Sequence, residues 1–327
     1  MSSKIIKTTC KVGACEPQCG LCIKVENGVI TSVVPDKAHP ISKGYICTKG
    51  KQIPEYQNDP DRLLHPIKRT ANGWEQIEWS TATTEVGEKL RAIFDQYGPG
   101  AIATYWGNAA DTTGMVVANS LCSAFGSANS FNVLSLEYTD RGAVAEKVLG
   151  DQTLILQPDA DHTEFALLLG TNPVVTQGMT LLQRRPRVGG DLKDISRRGG
   201  KVVVVDPRVT ETVRIADQHI MIKPGTDLYL LLGMIHVIFK QDLANKDFVS
   251  RYTTGCDQWI ASLKDYDLTW AADITGIAVD IMIQLAEEFC AADSAFVTTR
   301  VGVQTSHNTT LTEWAVMTLN AISGNID

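Results

Sequence analysis

Hydrophobic residues recur along this chain in two rhythms, and the change between them divides it. Up to Asp59-Pro60-Asp61-Arg62 the apolar positions are short and alternating. Cys22-Ile23-Lys24-Val25-Glu26 alternates, Asn27-Gly28 is a two-residue hairpin turn, and Val29-Ile30-Thr31-Ser32-Val33-Val34 returns. Beyond Arg62 the texture becomes strand followed by helix. Ser80 is predicted to cap a helix with an apolar stripe of Val86, Leu90, Ile93 and Phe94, closed by Gly98-Pro99. Continuous apolar runs predict strands at Ala101–Tyr105, Phe165–Leu169, Lys201–Val205 and Ala295–Thr298, with helices between them, notably Leu228–Lys240 and Leu311–Ala321. Such alternation predicts an α/β fold: a small β-rich unit, then doubly wound parallel sheets covered on both faces.

The loops after these strands are informative. Gly107-Asn108, Gly170-Thr171-Asn172-Pro173, Asp206-Pro207-Arg208 and Arg300-Val301-Gly302 stand where open α/β sheets bind ligands, beyond the carboxyl ends of the strands. Glycine lets backbone approach a ligand, while Asn, Asp and Arg offer directional hydrogen bonds. Turn chemistry accounts for any one of these loops alone. Four in register favour a nucleotide-like ligand.

The 327 residues suffice for two or three compact units, and 44% hydrophobic with 20% charged residues describes an ordinary globular protein. A net charge of −7 argues against a nucleic-acid partner. The one basic cluster, Arg184-Arg185-Pro186-Arg187, reads as a solvated loop. No run of 18 apolar residues exists, so no membrane span is expected, and Met1–Ile6 has neither an apolar signal core nor paired arginines. The chain as given reads as cytoplasmic.

Five of the eight cysteines (Cys10, Cys15, Cys19, Cys22 and Cys47) precede residue 48. In a reducing compartment such a cluster points to metal or redox chemistry rather than disulfides. Cys10, Cys15, Cys19 and Cys47 supply four thiolates, as a four-iron cluster requires. Cys22 is a fifth candidate, and a zinc site of Cys15, Cys19, Cys22 and Cys47 is the alternative that the spacing leaves open. Cys122, Cys256 and Cys290 lie in apolar surroundings and read as small buried hydrophobes.

Cys15-Glu16-Pro17-Gln18-Cys19-Gly20-Leu21, Val25-Glu26-Asn27-Gly28-Val29-Ile30 and His39-Pro40-Ile41-Ser42-Lys43-Gly44-Tyr45-Ile46-Cys47-Thr48-Lys49-Gly50 together resemble the start of the DMSO reductase family of molybdopterin oxidoreductases. The resemblance runs on through Asp59–Pro66, Trp74–Trp79, Asp206-Pro207-Arg208, Ala216-Asp217, Pro224-Gly225-Thr226-Asp227 and the terminal Leu319–Asp327, and so covers the whole chain. It implies an iron–sulfur cluster domain over 1–58, the first part of an α/β pterin-binding domain over 59–139, and a second α/β dinucleotide-binding domain over 140–327. By the same match Cys10, Cys15, Cys19 and Cys47 hold a [4Fe-4S] cluster and Cys22 is a hairpin residue. Four residues separate Cys10 from Cys15 where the family has two or three, a departure that falls on the first ligand.

The resemblance further implies Mo or W held by a bis-molybdopterin guanine dinucleotide cofactor. The loops of Gly170, Thr171 and Asn172, of Asp206 and Arg208, and of Pro224, Gly225, Thr226 and Asp227 would grip one dinucleotide, with Gly107, Asn108 and Gly302 beside them. An Asp carboxylate can accept two hydrogen bonds from a guanine edge, and Arg can pair with pyrophosphate. Lys49 looks like the cation between cluster and pterin; without the motif it would be an ordinary surface lysine. Ungapped counting from Gly126-Ser127-Ala128-Asn129 places Glu137 where relatives carry the metal's protein ligand, with Ser135 two residues away. Glu137 can be read as ligand, as nearby acid–base group or as solvated glutamate. The lack of cysteine there argues against a formate dehydrogenase, and Gln177 stands where many relatives have histidine. Asp140 and Arg141 are nearby polar residues without an assigned role.

Compared with the family the chain stops early, so the resemblance implies that a missing carboxyl-terminal segment or a partner chain completes the site, with an electron-transfer subunit as a further partner. The leading expectation is two-electron or oxygen-atom transfer at the metal, with electrons relayed by the cluster. The competing readings are a non-redox tungsten hydratase, a pterin-free electron-transfer or scaffold subunit, and a zinc-stabilised binding module.

Overall fold

A computed structural model describes residues 3–12, 15, 17–107, 112–177 and 185–326. Asn108 and Arg184, both singled out by sequence, lie outside the described residues. The chain divides into two compact units, Met1–Val133 and Leu134–Asp327.

In the first unit β1 (Ser3–Thr9), β2 (Gly20–Glu26) and β3 (Val29–Pro35) form an antiparallel sheet in that order. The β2–β3 hairpin is the predicted one. Asn27 and Gly28 have φ of 52° and 86°, the positive values that a tight turn needs to match strand twist. The patterning does not predict β1, whose seven residues are all exposed and so show no buried face. Pairing of Thr9 with Gly20 brings Cys10 beside Cys19, and the Cys10 amide donates to the Cys19 carbonyl at 2.8 Å. Leu21, Ile46 and Ile53 join these two cysteines in a small apolar core.

A hairpin of β4 (Ile67–Thr70) and β5 (Gly73–Gln76) leads to α1 (Trp79–Tyr97). The helix begins one residue before Ser80 instead of after it. Extended Glu78 is the capping position, and its carbonyl accepts the Ala82 amide at 3.0 Å, which leaves Ser80 inside the first turn. Gly98, at φ 77°, ends the helix as predicted. The strand expected from Ala101 starts at Thr104, because Pro99–Ala101 is a short 3-10 turn. It is β6 (Thr104–Trp106), and it pairs in parallel with β7 (Ser130–Asn132). This layer is bare. No residue of α1 is buried, Val86 of its stripe is 56% exposed, and Tyr105 and Phe131 on the strands are 82% and 54% exposed.

In the second unit β8 (Phe165–Leu169), β9 (Lys201–Val205), β10 (Gln218–Ile220) and β11 (Ala295–Thr299) form one parallel sheet in the order β10-β9-β8-β11. Side chains alternate across it. Phe165, Leu167, Leu169, Val203 and Val205 enter one core, and Ala166, Leu168, Val202 and Val204 enter the other. Helix α2 (Thr139–Leu149) follows the short helix Leu134–Glu137 that opens the unit, and α3 (Val188–Arg197) covers the second face with Leu192 and Ile195. Helices α4 (Asp227–Lys240), α5 (Val279–Ala291) and α6 (Thr309–Ile322) cover the first with Leu231, Met234, Phe289 and Leu319. The doubly covered parallel sheet is therefore as expected, with the Leu228 and Leu311 helices one or two residues longer at each start.

Side chains close the outer edge of β11. Asn325 Oδ1 accepts the Ala295 amide at 2.8 Å, Asn320 brackets Val297 with two bonds of 3.1 Å, and Arg141 donates to the Thr299 carbonyl at 2.6 Å. An edge strand left with free amides and carbonyls would recruit other strands. Cys122 is buried as expected, whereas Cys256 and Cys290 are only partly covered. Cys290 sits on the helix Val279–Ala291 at the margin of the main core, against which it packs, and Cys256 opens the helix Cys256–Leu263, of which only Leu263 is buried.

Candidate active site

The first cluster of candidate residues lies in the amino-terminal unit. Cys10 and Cys19 are buried, Cys15 and Cys47 are half-buried, and Cys47 caps the one-turn helix Thr48–Lys51 that carries exposed Lys49. Burial pushes the Cys10, Cys15 and Cys19 thiols up, and burial together with the charges of the other three quartet members brings Cys19 to about 12. Cys10 feels Cys47, and Cys15 feels Cys10 and Cys47, so all six pairs of the quartet interact. The Lys49 ammonium opposes this at Cys10 and Cys15. Four mutually repelling thiolates in a half-dry cradle need a cationic core to stay ionised.

The spacing bears on which core. Among the described residues no group of three or more His, Cys, Asp or Glu side chains could hold a metal ion. A lone zinc ion requires thiolate sulfurs at about 2.3 Å from one centre, whereas a four-iron cube spreads its cysteines much further apart. The loop around the quartet is tightly built. The Gly20 amide donates to Ser42 Oγ at 3.0 Å, Ser42 meets His39 Nδ1 at 3.1 Å, and a Cβ on Gly20 would sit 2.4 Å from the His39 ring. A Cβ on Gly50 would fall 2.8 Å from Ile46 and 3.6 Å from Cys10 Sγ. Glycine at both positions follows from that crowding.

The second cluster stands at the carboxyl ends of the parallel sheet in the second unit. After β8, Gly170 has φ 56° and its carbonyl accepts the Gly302 amide at 3.0 Å. A Cβ on Gly302 would lie 2.7 Å from that carbonyl oxygen, and one on Gly170 would lie 2.9 Å from the Val303 nitrogen. The loops after β8 and β11 thus meet backbone to backbone. Thr171 is buried. The Asn172 amide is used within the protein: Oδ1 accepts the Thr212 hydroxyl at 2.8 Å, and Nδ2 donates to Glu211 at 2.8 Å.

After β9, Asp206 is buried and accepts the amide of exposed Arg208 at 2.8 Å. Beyond β10, the turn of Pro224 and Gly225 (φ 78°) approaches Ser306, and the Thr226 hydroxyl donates to the Lys223 carbonyl at 2.6 Å. Asp227 opens α4 and is 6% exposed. Burial raises its carboxyl to about 6, its own amide pulls the other way, and the charge of Asp206 adds to the rise. Two buried acidic groups from neighbouring loops therefore converge on one end of the sheet. They offer acceptors, with Arg208 as the exposed cation nearby in sequence. Gly107 lies exposed after β6 in the first unit, away from backbone that a Cβ would meet.

Glu137 ends the short helix Leu134–Glu137, half-buried, and that helix packs against Val301–Gln304, the turn holding Gly302. Gln177 caps the short helix Pro173–Thr176 at φ 59° and donates to the Val174 carbonyl at 2.7 Å. Asp140 and Arg141 acquire partners that the sequence did not supply. Arg141, 8% exposed, pairs with Glu313, 4% exposed, at 3.3 Å. A readable signal existed: Arg141 with Val144 and Ala145, and Glu313 with Val316, are lone charges on apolar helix faces. A cavity of about 270 Å³ lined by Arg141, Glu313, Asn320, Met317 and Leu156 runs alongside β11, not beyond its carboxyl end.

A protein-family model for molybdopterin oxidoreductases matches residues 62–327, and one for the molybdopterin oxidoreductase Fe4S4 domain matches residues 3–59. The chain is 30% identical to a probable oxidoreductase, YoaE, of Bacillus subtilis over 98% of its own length and 46% of the relative's. It is 27% identical to the F420-dependent formate dehydrogenase subunit alpha of Methanocaldococcus jannaschii, over 100% and 46% of the two chains. Among solved structures, acetylene hydratase from Pelobacter acetylenicus superposes with a TM-score of 0.84 at 25% identity, covering 98% of this chain and 43% of that one. The chain spans about half the length of the curated relatives it matches.

Proposed function

The chain belongs to the molybdopterin oxidoreductase family, and from that premise we propose that it forms the amino-terminal part of the catalytic subunit of a molybdenum- or tungsten-pterin oxidoreductase. The observation that carries this reading is the quartet of Cys10, Cys15, Cys19 and Cys47, mutually coupled and half-buried beside Lys49. When bound, a [4Fe-4S] cluster there supplies a one-electron relay to a metal–pterin centre that exchanges two electrons or an oxygen atom with substrate. The four cysteines would hold the cluster, and the Lys49 cation, whose charge acts on Cys10 and Cys15, would favour added electron density there.

The carboxyl-end loops of the second unit bind one guanine dinucleotide. Asp227 and Asp206 accept hydrogen bonds from the guanine edge, which would satisfy buried carboxylate oxygens. Arg208 pairs with pyrophosphate. Gly170 and Gly302 keep side chains out of the crevice. Glu137 reaches the metal centre as ligand or as acid–base group, and Gln177 replaces the histidine common in relatives. Asn172 holds the 170s loop to Thr212 and Glu211.

The remainder of the protein, or a partner chain, completes the second dinucleotide half-site. Support comes from the bare first α/β layer: α1 without a buried residue and a two-stranded parallel sheet with exposed faces. Parallel sheets are stable only when covered on both sides. An electron-transfer subunit draws on the cluster. No single described helix is long and apolar enough to cross a membrane, and we place the protein in the cytoplasm, where the cysteine quartet stays reduced.

A second reading is non-redox hydration on the same cofactors, favoured by the likeness to acetylene hydratase. One experiment separates them. The full-length protein, purified anaerobically, is analysed for Fe, Mo, W and Zn and assayed with and without an electron acceptor. Iron with Mo or W and acceptor-dependent turnover is expected. Acceptor-independent turnover selects hydration, and zinc without iron refutes both readings.

A further inference from the structure

Asp140 and Arg141 follow Glu137 by three and four positions and open α2. Each reaches across to the elements that follow β11. The two carboxylate oxygens of Asp140 accept the Thr309 and Thr310 hydroxyls at 2.6 and 2.5 Å, at the start of α6. Arg141 Nη2 donates to the Thr299 carbonyl at 2.6 Å and to its hydroxyl at 3.1 Å, while Nε meets Glu313 at 3.3 Å. Glu313 also accepts the Thr299 hydroxyl and, at 3.3 Å, the amide of Gln304. Among the described residues the buried Gln304 Oε1 atom has no hydrogen-bond partner. Gln304 belongs to the turn Val301–Gln304, which carries Gly302 and packs against Leu134–Glu137.

A buried ion pair is a poor way to gain stability, since removing two charges from water costs about as much as their attraction returns. What it gives is direction. A planar guanidinium with several fixed donors holds its partners in one geometry, which an apolar contact does not. Here the geometry fixed is that of the chain just after Glu137 against the chain just after β11.

We propose that Arg141, together with Asp140, is a positioning residue that clasps the Glu137 segment to the loop after β11, so that Glu137 and the Gly302 backbone keep one register. The proposal rests on the reading that Glu137 stands at the metal centre, and it adds the device that places it there. Lysine cannot replace Arg141 fully, because one ammonium lacks the planar fork that serves Thr299 and Glu313 together.

The test uses the full-length holoenzyme with Arg141→Met, Arg141→Lys, Glu313→Gln and Glu137→Gln. Glu288→Gln, which breaks the remote Lys201–Glu288 pair, serves as control. Hydrogen exchange is followed in peptides covering 134–138 and 300–306 and in those covering β8 and β9, alongside the electron paramagnetic resonance signal of the metal centre. Arg141→Met is expected to speed exchange in 134–138 and 300–306 roughly tenfold or more, leaving β8 and β9 unchanged, and to alter the metal signal at unchanged cofactor content. Arg141→Lys should restore part of both. If Arg141→Met does not fold, Glu313→Gln, which keeps shape and loses charge, gives the same pattern. Exchange that rises uniformly through the second unit, or stays unchanged in 134–138, overturns the proposal. A silent Glu137→Gln alongside a loosened 134–138 in Arg141→Met refutes the role given to Glu137 and supports the clasp.

Discussion

Replacing Asp227 by asparagine tests the reasoning about the carboxyl-end site most directly. Burial raises the Asp227 carboxyl from its ordinary 3.8 to about 6. A raised folded-state value means the unfolded chain ionises first as pH increases. Stability from this group is therefore full below about pH 4 and is lost progressively up to about pH 6. A rise of about 2 units at 1.36 kcal/mol each amounts to about 3 kcal/mol. The substituted amide keeps the shape of the carboxyl and cannot ionise. The difference in unfolding free energy between the Asp227→Asn variant and the parent chain should grow from near zero at about pH 4 to about 3 kcal/mol in favour of the variant at about pH 7. Urea unfolding of residues 1–327 across that range measures it. The parent chain should also gain stability from added guanosine diphosphate that the variant does not, since the nucleotide supplies the donors the carboxylate lacks. A difference that is flat with pH, or a variant less stable than the parent at neutral pH, would refute the argument that desolvation dominates at this position.

Three further outcomes are expected from the geometry. Cys10→Ser should lose iron and acid-labile sulfide while Cys22→Ser retains both, as measured on anaerobically prepared protein; loss from both variants would remove the distinction between quartet and hairpin. Gly302→Ala places a methyl group 2.7 Å from the Gly170 oxygen and should cost about 1–3 kcal/mol in the urea-derived stability of the second unit, so an unchanged midpoint would show that the two loops part freely. Asn320→Leu leaves the Val297 amide and carbonyl without partners and should cost about 1–3 kcal/mol for each, with self-association through the uncovered edge of β11 seen by size-exclusion chromatography.

Some of this was legible in order along the chain. Asn27-Gly28 could only be a tight turn, because both residues tolerate positive φ, and the flanking alternation fixed the hairpin. Phe165–Leu169 and Lys201–Val205 were readable to the residue, since runs of five and four consecutive apolar positions, β-branched in the second and each followed by Gly or Asp-Pro, suit a strand buried on both faces. The loops that follow them carried the Gly, Asn and Asp of a ligand crevice. Where local signals were weak, the edges shifted: Ser80 competed with extended Glu78 for the cap of α1, and the 3-10 turn at Pro99 delayed β6. Strands β1, β4, β5, β7 and β10 were not predicted, because each is short or exposed and gains its conformation from a neighbour.

Sequence by itself determined the elements that depend on nearest neighbours: turn residues, helix stripes, apolar strands and the cysteine-rich start. Tertiary structure alone decided which of those residues meet. Arg141 and Glu313 are 172 positions apart, and no periodicity relates them; their pairing exists because α2 and α6 pack together beside β11. Likewise Asp206 and Asp227 act on one another only because β9 and β10 are adjacent and parallel. Local patterns arise from steric and solvation preferences within a few residues, whereas charge pairing and desolvation depend on distances that only the folded chain sets.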